Sequence, residues 1–591
     1  MIDVKQRAGY LPFARMTDLN SYRMVLLCLA FSLFLVATLS RVDISLAEWD
    51  HVSLNAAQYW SKGISKAWFF AHPPLYPSFL ALLFKIFGSG TEVARAGNIA
   101  CSLLTGLILF RLSVQACSRQ AAFWATMIYL VSPVCIQGVS SLDMADTSLL
   151  PLLFLLTTGS LRKLSLRPSF FRALVLGVWF GLCFWAKITS TIAFMASFAI
   201  GFIFLYWFDL RHRVWSIGKY LAIGFGIGVA IYLLTSFIVL SSLWGTAAFF
   251  YPLKAAYAAL AYRQAHNSAS SLILSFIYSM ARIFIWFSPY LLLILVVAVW
   301  SSFKVHIRKK TDESRFILLV GLAATVYFLT HMVIGGTNWG FPRYQVAVLP
   351  MMCLLAGNYL SESTGMSGER YSFWIVCAVV GMIIVNGLWF CDPILFFNIR
   401  LKQMLLENMG WQHIVVNALK VFLPLYIIPI AASVWLILRA DPHSRNLAFA
   451  LCLVISFFTT SITLNAHQYT ADYRTSVQYG AVGKEEVIRL VRTRLSDGDR
   501  VLATPEFIAE FRNYHVPEVN WEELRTQDRF SRFVKLHAPV AIIGGMTVST
   551  LDQLTWLLGT ENQTSLSRNY RFHQVGTYYL WLRVDANKDN I

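Results

Sequence analysis

Two groups of acidic residues stand in short polar segments between apolar runs and are candidates for acid–base chemistry. They are Glu48 and Asp50 in Glu-Trp-Asp-His, and the pair Asp143 and Asp146. A carboxylate beside an acceptor hydroxyl removes its proton as the oxygen attacks. Such acids are often merely solvated, and Asp146 stands at a predicted helix start, where Asp commonly caps the first turn. We therefore expect a capping role for Asp146 and a chemical role for Asp50 and Asp143.

Two cationic residues lie at the ends of apolar runs. Lys187 stands in Phe-Trp-Ala-Lys-Ile-Thr between two such runs, and Arg343 precedes Tyr344 at the start of another. A lysine in this position can simply extend its ammonium to the membrane–water interface, or it can bind a phosphate as a point charge. Both interpretations of Lys187 stay open. Arg343 suits phosphate better, because its planar fork bonds two oxygens.

Carboxylates together with cations fit the transfer of a group from a phosphate-linked donor. The carboxylate activates the acceptor hydroxyl, and the cations stabilise the charge that develops on the departing phosphate. This combination predicts a transferase that acts on a lipid-linked donor at a membrane surface.

The composition indicates an integral membrane protein. Of the 591 residues, 57% are hydrophobic and 14% are charged, whereas soluble proteins carry about 25% charged residues. The net charge of +18 would suit a nucleic-acid-binding protein, but much of the Lys and Arg lies in short loops between apolar runs, where it reports membrane orientation. We therefore expect no nucleic-acid partner. The nine Cys lie in or beside apolar runs without metal-binding spacing, which indicates buried structural residues.

A cytoplasmic N-terminus and about thirteen membrane helices place every later basic cluster in the cytoplasm. The predicted spans are residues 24–41, 94–113, 120–138, 147–161, 173–187, 189–207, 220–242, 272–301, 316–334, 344–361, 372–391, 414–438 and 446–464.

The apolar run from Leu75 to Phe87 is too short to be a span. It has about 13 residues, against the roughly 20 that cross a bilayer, and counting it as a crossing would invert the later loops. We therefore expect an interfacial helix, entered through His72-Pro73-Pro74, within a first external loop over residues 42–93. This topology puts Asp50, Asp143, Lys187 and Arg343 on one side of the membrane.

The chain changes character after the last predicted span. Residues 1–465 form the predicted transmembrane domain, and residues 466–591 are mixed and charged, which indicates a small α/β domain outside the membrane. Its predicted elements are a helix over 483–495, a strand at 500–503, a helix over 506–514, a strand at 540–543 and a strand over 578–584.

Five sequence features resemble the membrane glycosyltransferases of the protein O-mannosyltransferase class, which includes the lipid A aminoarabinose transferases. They are Trp-Asp-His at 49–51, His-Pro-Pro-Leu-Tyr at 72–76, Leu-Asp-Met at 142–144, Ala-Lys at 186–187 and Arg343-Tyr344 before Gln-Val-Ala-Val-Leu-Pro. Their order and spacing cover roughly the first 360 residues. Many members of the class have Asp-Glu where this chain has Asp50-His51, so that the second acid is missing unless Glu48 replaces it.

The resemblance implies a GT-C fold, an extracytoplasmic active site, a polyprenyl- or dolichyl-phosphate sugar donor and transfer with inversion. By this resemblance Asp50 is the catalytic base and Asp143 orients the substrate or the base. Lys187 and Arg343 would bind the donor phosphate, and Tyr344, His72 and His51 would line the substrate site. Some members bind a divalent metal, for which Glu48, His51 and His72 are candidate ligands. No ligand spacing here identifies a metal site, and no cofactor is predicted with certainty.

The sequence leaves the substrates and two other functions open. The acceptor could be a lipid, a polysaccharide or a protein, and the sugar a hexose or a pentose. The predicted location is the bacterial inner membrane, with the C-terminal domain in the periplasm. The alternatives are a lipid-linked glycan transporter or flippase, and a non-catalytic membrane binding protein. A transporter would need charged residues along a path through the spans, whereas most of the charge here is at helix ends.

Overall fold

The computed structural model describes residues 21–40, 50–65, 73–142, 145–208, 212–254, 257, 269–334, 342–364, 409–427, 483–503, 527–545, 569–576 and 578–584. It also describes short stretches and single positions between 396 and 514. Structural statements below concern these residues.

Up to Thr364, the described residues form a bundle of helices. In chain order they are α1 (Ser21–Leu39), α2 (Asp50–Ser61), α3 (Leu75–Phe87), α4 (Thr91–Ala116), α5 (Arg119–Val131), α6 (Pro133–Ser140), α7 (Leu149–Leu166), α8 (Phe170–Ala186), α9 (Ile188–Phe208), α10 (His212–Trp244), α11 (Ala269–Trp286), α12 (Pro289–Lys309), α13 (Asp312–Ile334), α14 (Arg343–Val346) and α15 (Leu349–Thr364). A further helix, α16, spans Trp411–Phe422 and continues as a π-helical turn over Leu423–Ile427.

Six of the described helices are long and apolar enough to cross a membrane, or seven if the bent pair α5–α6 is one span. The chain is therefore a multi-pass membrane protein. The predicted number of thirteen spans stays a prediction, because residues 365–395, which contain the whole predicted span 372–391, lie outside the described residues. Two other predicted spans, 414–438 and 446–464, are described only in part.

Two predicted spans, 120–138 and 272–301, are interrupted at Ser-Pro. The predicted span 272–301 is two helices, because α11 ends at Trp286 and α12 begins at Pro289. Proline cannot donate an amide hydrogen and collides with the preceding turn, so it starts a helix rather than continuing one. Ser288 caps α12, accepting a hydrogen bond from the Tyr290 amide. At Ser132-Pro133, α5 and α6 meet at an angle of 51°.

The short apolar run at 75–87 forms the expected helix, α3. It packs against α2 and α4, and its buried face comprises Tyr76, Pro77, Leu80, Ala81 and Phe84. Its place relative to the membrane surface stays a prediction.

Glycines bring α8 and α10 into close contact. A Cβ atom on Gly228 of α10 would lie 2.6 Å from Phe180 Cβ and 3.1 Å from the Gly177 carbonyl oxygen. Small residues are common where membrane helices approach this closely. The contact holds α8, and with it Lys187 at its end, against α10.

The C-terminal region contains a four-stranded sheet. Its described elements are α17 (Lys484–Arg492), β1 (Val501–Ala503), α18 (Gln527–His537), β2 (Ala541–Gly545), β3 (Tyr570–Val575) and β4 (Tyr578–Arg583). The strand order is β1-β2-β4-β3, with β1 parallel to β2 and the other pairs antiparallel. The buried face of α17 packs against this sheet through Val487, Ile488 and Val491.

Most of the predicted C-terminal elements are present, and two were missed. Helix α17 and strands β1, β2 and β4 match their predicted positions, whereas β3 and α18 were not predicted. Of the predicted helix 506–514, four residues are described, and they form turns. The boundary at residue 465 lies outside the described residues, so the division into domains stays a prediction.

Candidate functional site

Lys187 lies at the junction of α8 and α9, where the chain is extended for one residue. Its amide caps α8 by bonding to Cys183 O at 2.8 Å, and its carbonyl accepts from the Thr191 amide at 3.1 Å. The side chain is only 3% exposed. The interpretation that this lysine extends to the water interface is therefore wrong.

The Lys187 ammonium forms an ion pair with Asp146, which is fully buried. The Ser190 hydroxyl lies 3.5 Å from the other carboxylate oxygen of Asp146. Ser190 stands in the first turn of α9, where the helix dipole favours a negative charge. A buried carboxylate is stable only with such partners.

The predicted capping role of Asp146 is wrong. Asp146 lies in a 3-10 turn, Ala145–Thr147, and the residue that precedes α7 is Ser148, which makes no side-chain capping bond. The partner of the carboxylate is Lys187, 41 positions further along the chain.

Tyr344 lies at the centre of the described site. The Lys187 Nζ atom is 4.3 Å from the centroid of its ring, and the Arg343 guanidinium carbon is 5.1 Å from the same centroid. Arg343 also donates a hydrogen bond to the Tyr344 hydroxyl at 3.2 Å. Both cations lie within the distance at which an aromatic face attracts a positive charge. The structure thus brings together Lys187, Arg343 and Tyr344, and their role in substrate binding stays a prediction.

Helix α13 contacts Tyr344 through His331 and Tyr327. The His331 ring stacks on the Tyr344 ring, with centroids 5.4 Å apart and an interplanar angle of 11°. The Tyr327 hydroxyl donates to the Tyr344 carbonyl oxygen at 3.1 Å, and its ring lies 4.5 Å from His331. These contacts fix the orientation of the Tyr344 ring.

Arg282 is a further cation at this site, and the sequence analysis missed it. It stands inside the apolar helix α11 and is 4% exposed. Its charge interacts with the Tyr344 phenol and with the Arg343 guanidinium. The available signal was a single arginine within a membrane helix, which usually marks a functional position.

Asn98 of α4 holds together the segments on which the predicted acids stand. Its side-chain oxygen accepts hydrogen bonds from Tyr76 of α3 at 3.0 Å and from Ser148 at 2.8 Å. Its amide nitrogen donates to the carbonyl oxygens of Val139 and Ser141 at 3.2 and 2.9 Å. Asn98 is fully buried, so these bonds form without competition from water.

Arg95, one turn before Asn98, strengthens the same junction. It is 1% exposed, and its Nε donates to the Ser140 carbonyl oxygen at 3.3 Å. Residues 139–148, which contain Asp143 and Asp146, are thus fixed at both ends to α4. Because α2 packs on α3, the helix that begins at Asp50 is anchored through Tyr76 to the same junction.

The remaining predicted site residues are not tested. Asp50 and His51 form the start of α2, but only their backbone is described. Glu48, His72 and Asp143 lie outside the described residues. Within the described part of the chain no group of three or more potential metal ligands is present. The metal hypothesis, with Glu48, His51 and His72 as ligands, therefore stays a prediction.

Comparison with known proteins identifies the class of fold. The family described as Dolichyl-phosphate-mannose-protein mannosyltransferase matches residues 71–235. That stretch contains the Asn98 junction, Asp146 and Lys187. Comparison with curated proteins gives no significant match.

Among solved structures, the chain is similar to ArnT from Cupriavidus metallidurans bound to undecaprenyl phosphate. The TM-score is 0.57 at 14% sequence identity, over 95% of this chain and 98% of ArnT. ArnT in the apo state gives a TM-score of 0.57 at 14% identity, over 94% of this chain and 97% of that one. The resemblance found in the sequence is thus confirmed, and the chain has the fold of ArnT.

Proposed function

We propose that this protein is a glycosyltransferase that moves one sugar from a polyprenyl-phosphate carrier to an acceptor at the outer, periplasmic face of the inner membrane, with inversion. The observation that carries the proposal is the meeting of Lys187, Asp146, Arg343 and Tyr344 from separate helix junctions within a GT-C fold. The ArnT structure contains undecaprenyl phosphate, which is a carrier lipid of the proposed class without its sugar.

The cations supply the electrostatic part of the proposed reaction. As the bond between the sugar and the phosphate breaks, negative charge grows on the departing phosphate. The Lys187 Nζ atom and the Arg343 guanidinium carbon lie 4.3 and 5.1 Å from the centroid of the Tyr344 ring. Positive groups held in place before the reaction stabilise this charge better than water does, because they need no reorganisation.

The carboxylates supply the proton transfer. Asp50 is the proposed base, which takes the proton of the acceptor hydroxyl while the oxygen attacks the anomeric carbon. Asp143 is proposed to orient the acceptor or the base, and Glu48 is a candidate for the second acid. Asn98 anchors the helix pair that carries Asp50 and the segment that carries Asp143.

A transfer assay tests the proposal. Purified protein is incubated with radiolabelled undecaprenyl-phosphate sugars, pentose and hexose in turn, and with an extract of membrane lipids as acceptor. We expect labelled product and stoichiometric release of undecaprenyl phosphate. Movement of intact donor across proteoliposomes without release of undecaprenyl phosphate would refute the proposal in favour of the transporter alternative.

A further inference from the structure

Two side chains of α13 contact Tyr344, and neither was expected from the sequence to belong to the site. Tyr327 and His331 stand four positions apart, so they lie on the same face of the helix. Tyr327 has no solvent exposure and His331 is 6% exposed. Both reach Tyr344 from the interior of the bundle, so their effect on the site is expected to pass through that residue.

Tyr344 stands in a helix that is too short to hold its own position. Helix α14 comprises the four residues Arg343–Val346, which is about one turn, and a single turn is not stable by itself. Pro342, which precedes it, makes no side-chain capping bond. The orientation of Tyr344 therefore depends on contacts with other elements.

Tyr327 ties the backbone of residue 344 to the rest of the bundle. Its hydroxyl donates to the Tyr344 carbonyl oxygen at 3.1 Å. Its ring packs edge-on against Phe154 of α7 and Phe194 of α9, with centroids 5.8 and 6.3 Å apart, and these two rings stack on each other at 3.7 Å. Helix α9 begins directly after Lys187. The contact therefore holds residue 344 and Lys187 in one frame.

The His331 ring limits the tilt of the Tyr344 ring. The two rings are nearly parallel at 11°, with centroids 5.4 Å apart, so a rotation of the Tyr344 side chain would break the stack. Lys187 and Arg343 both approach the same ring, and the attraction of a cation depends on its place over the aromatic face. The stack thus fixes both cation contacts at once.

We infer that Tyr327 and His331 are positioning residues for donor binding. Tyr327 sets the place of residue 344 relative to Lys187, and His331 sets the plane of the Tyr344 ring. The inference rests on the proposed function, in which Tyr344, Lys187 and Arg343 belong to the donor site. The two α13 residues act through Tyr344 and take no part in proton transfer.

The test measures binding of undecaprenyl phosphate to purified protein in detergent. The readout is the dissociation constant, obtained from the rise of the thermal unfolding midpoint with lipid concentration. His331→Ala should weaken binding by about three- to tenfold, the effect of losing one aromatic pair. Tyr327→Phe should also weaken it by about three- to tenfold, the effect of losing one hydrogen bond.

A double-mutant cycle separates a positioning role from a structural one. If His331 acts through the Tyr344 ring, removing that ring first leaves His331 with nothing to position. His331→Ala/Tyr344→Ala should then bind the lipid within about twofold of Tyr344→Ala alone, because the two residues are coupled. A general loss of packing would instead multiply the two single effects.

Two further variants serve as matched controls. Tyr290→Phe removes the same kind of bond at another place, because Tyr290 is 1% exposed and its hydroxyl donates to the Tyr426 carbonyl oxygen at 3.2 Å. It should leave the lipid affinity unchanged. His331→Phe keeps a stacking ring and should bind within about twofold of the wild type. His331→Leu replaces His331→Ala if the latter does not fold.

The outcomes separate this inference from the proposed function. If the effects of His331→Ala and Tyr344→Ala multiply, or if Tyr344→Ala binds the lipid as well as the wild type does, the inference is wrong. Either result would leave sugar transfer by the wild type intact. If binding shows the expected coupling but the wild type transfers no sugar, the proposed function alone fails.

Discussion

The buried pair of Lys187 and Asp146 allows a strong prediction about stability. Replacing Lys187 by Met removes the positive charge but keeps a side chain of similar length. The Asp146 carboxylate then remains at a position with no solvent exposure, with the Ser190 hydroxyl 3.5 Å away.

The magnitude follows from the burial of both partners. Removing one member of a buried ion pair costs about 3–5 kcal/mol, because an uncompensated charge is left inside the protein. Replacing both members by neutral residues of similar volume is often neutral, or stabilising by about 1–4 kcal/mol. We therefore expect Lys187→Met/Asp146→Asn to be more stable than Lys187→Met alone.

The assay is thermal unfolding of the purified protein in detergent, followed by intrinsic fluorescence. Lys187→Met should lower the unfolding midpoint by several degrees, and the double variant should recover most of this loss. Lys219→Met is the control, because Lys219 is exposed on α10, and exposed substitutions usually change stability by less than about 0.5 kcal/mol.

Sugar transfer should not recover together with stability. The double variant should fold but lacks the Lys187–Asp146 ion pair of the site, so we expect transfer to stay below a tenth of the wild-type rate. If the double variant loses as much stability as the sum of the single losses, the two side chains are not coupled. The ion pair would then be wrong, and with it the role given to Lys187.

Three further predictions concern the junctions around the site. Asn98→Leu should lower the unfolding midpoint and reduce transfer at least tenfold. The reason is that two carbonyl groups and two hydroxyls lose their buried hydrogen-bond partner, which costs about 1–3 kcal/mol each. A variant with normal transfer would show that the junction does not position the acids. Tyr344→Phe keeps the ring but loses the hydrogen bond from Arg343, so its KM for the donor should rise a few-fold. Tyr344→Ala also loses the ring, so its KM should rise more than tenfold. Equal KM values for the two variants would count against the ring contacts. Gly228→Ala should destabilise the protein by about 1–3 kcal/mol through crowding against α8, whereas Gly226→Ala, where a Cβ meets nothing within 4 Å, should leave the unfolding midpoint unchanged.

Local patterns predicted much of the fold. The apolar run at 75–87 gave the bounds of α3, because its length alone separates it from the spans. The breaks within the predicted spans 120–138 and 272–301 were not predicted, because each apolar run was treated as continuous although it contains Ser-Pro. At Ser288-Pro289 this dipeptide ends one helix and begins the next, and Pro289 is itself a local signal for a helix start. Strand β3 was missed because it is mostly exposed and polar, with a weak apolar pattern.

The site was harder to predict, because its contacts join residues far apart in the chain. Asp146 was predicted to cap a helix because the sequence shows that it lies just before α7. The sequence does not show that Lys187, at the end of α8, lies next to it in space. Arg282 was missed because it lies within a run read only for its apolar length. The alternation of predicted spans put Lys187 and Arg343 on one side of the membrane, and in the structure both lie near the Tyr344 ring.

The most direct test of the central claim is single-turnover sugar transfer by purified wild type and Asp50→Asn. With a labelled polyprenyl-phosphate sugar and a suitable acceptor, the wild type should release polyprenyl phosphate. Asp50→Asn should bind the donor equally well, express normally and transfer at less than a hundredth of the wild-type rate. Full transfer by Asp50→Asn would contradict the assignment of Asp50 as the base. If the wild type transfers no sugar from any polyprenyl-phosphate sugar tested, the proposed function itself is contradicted.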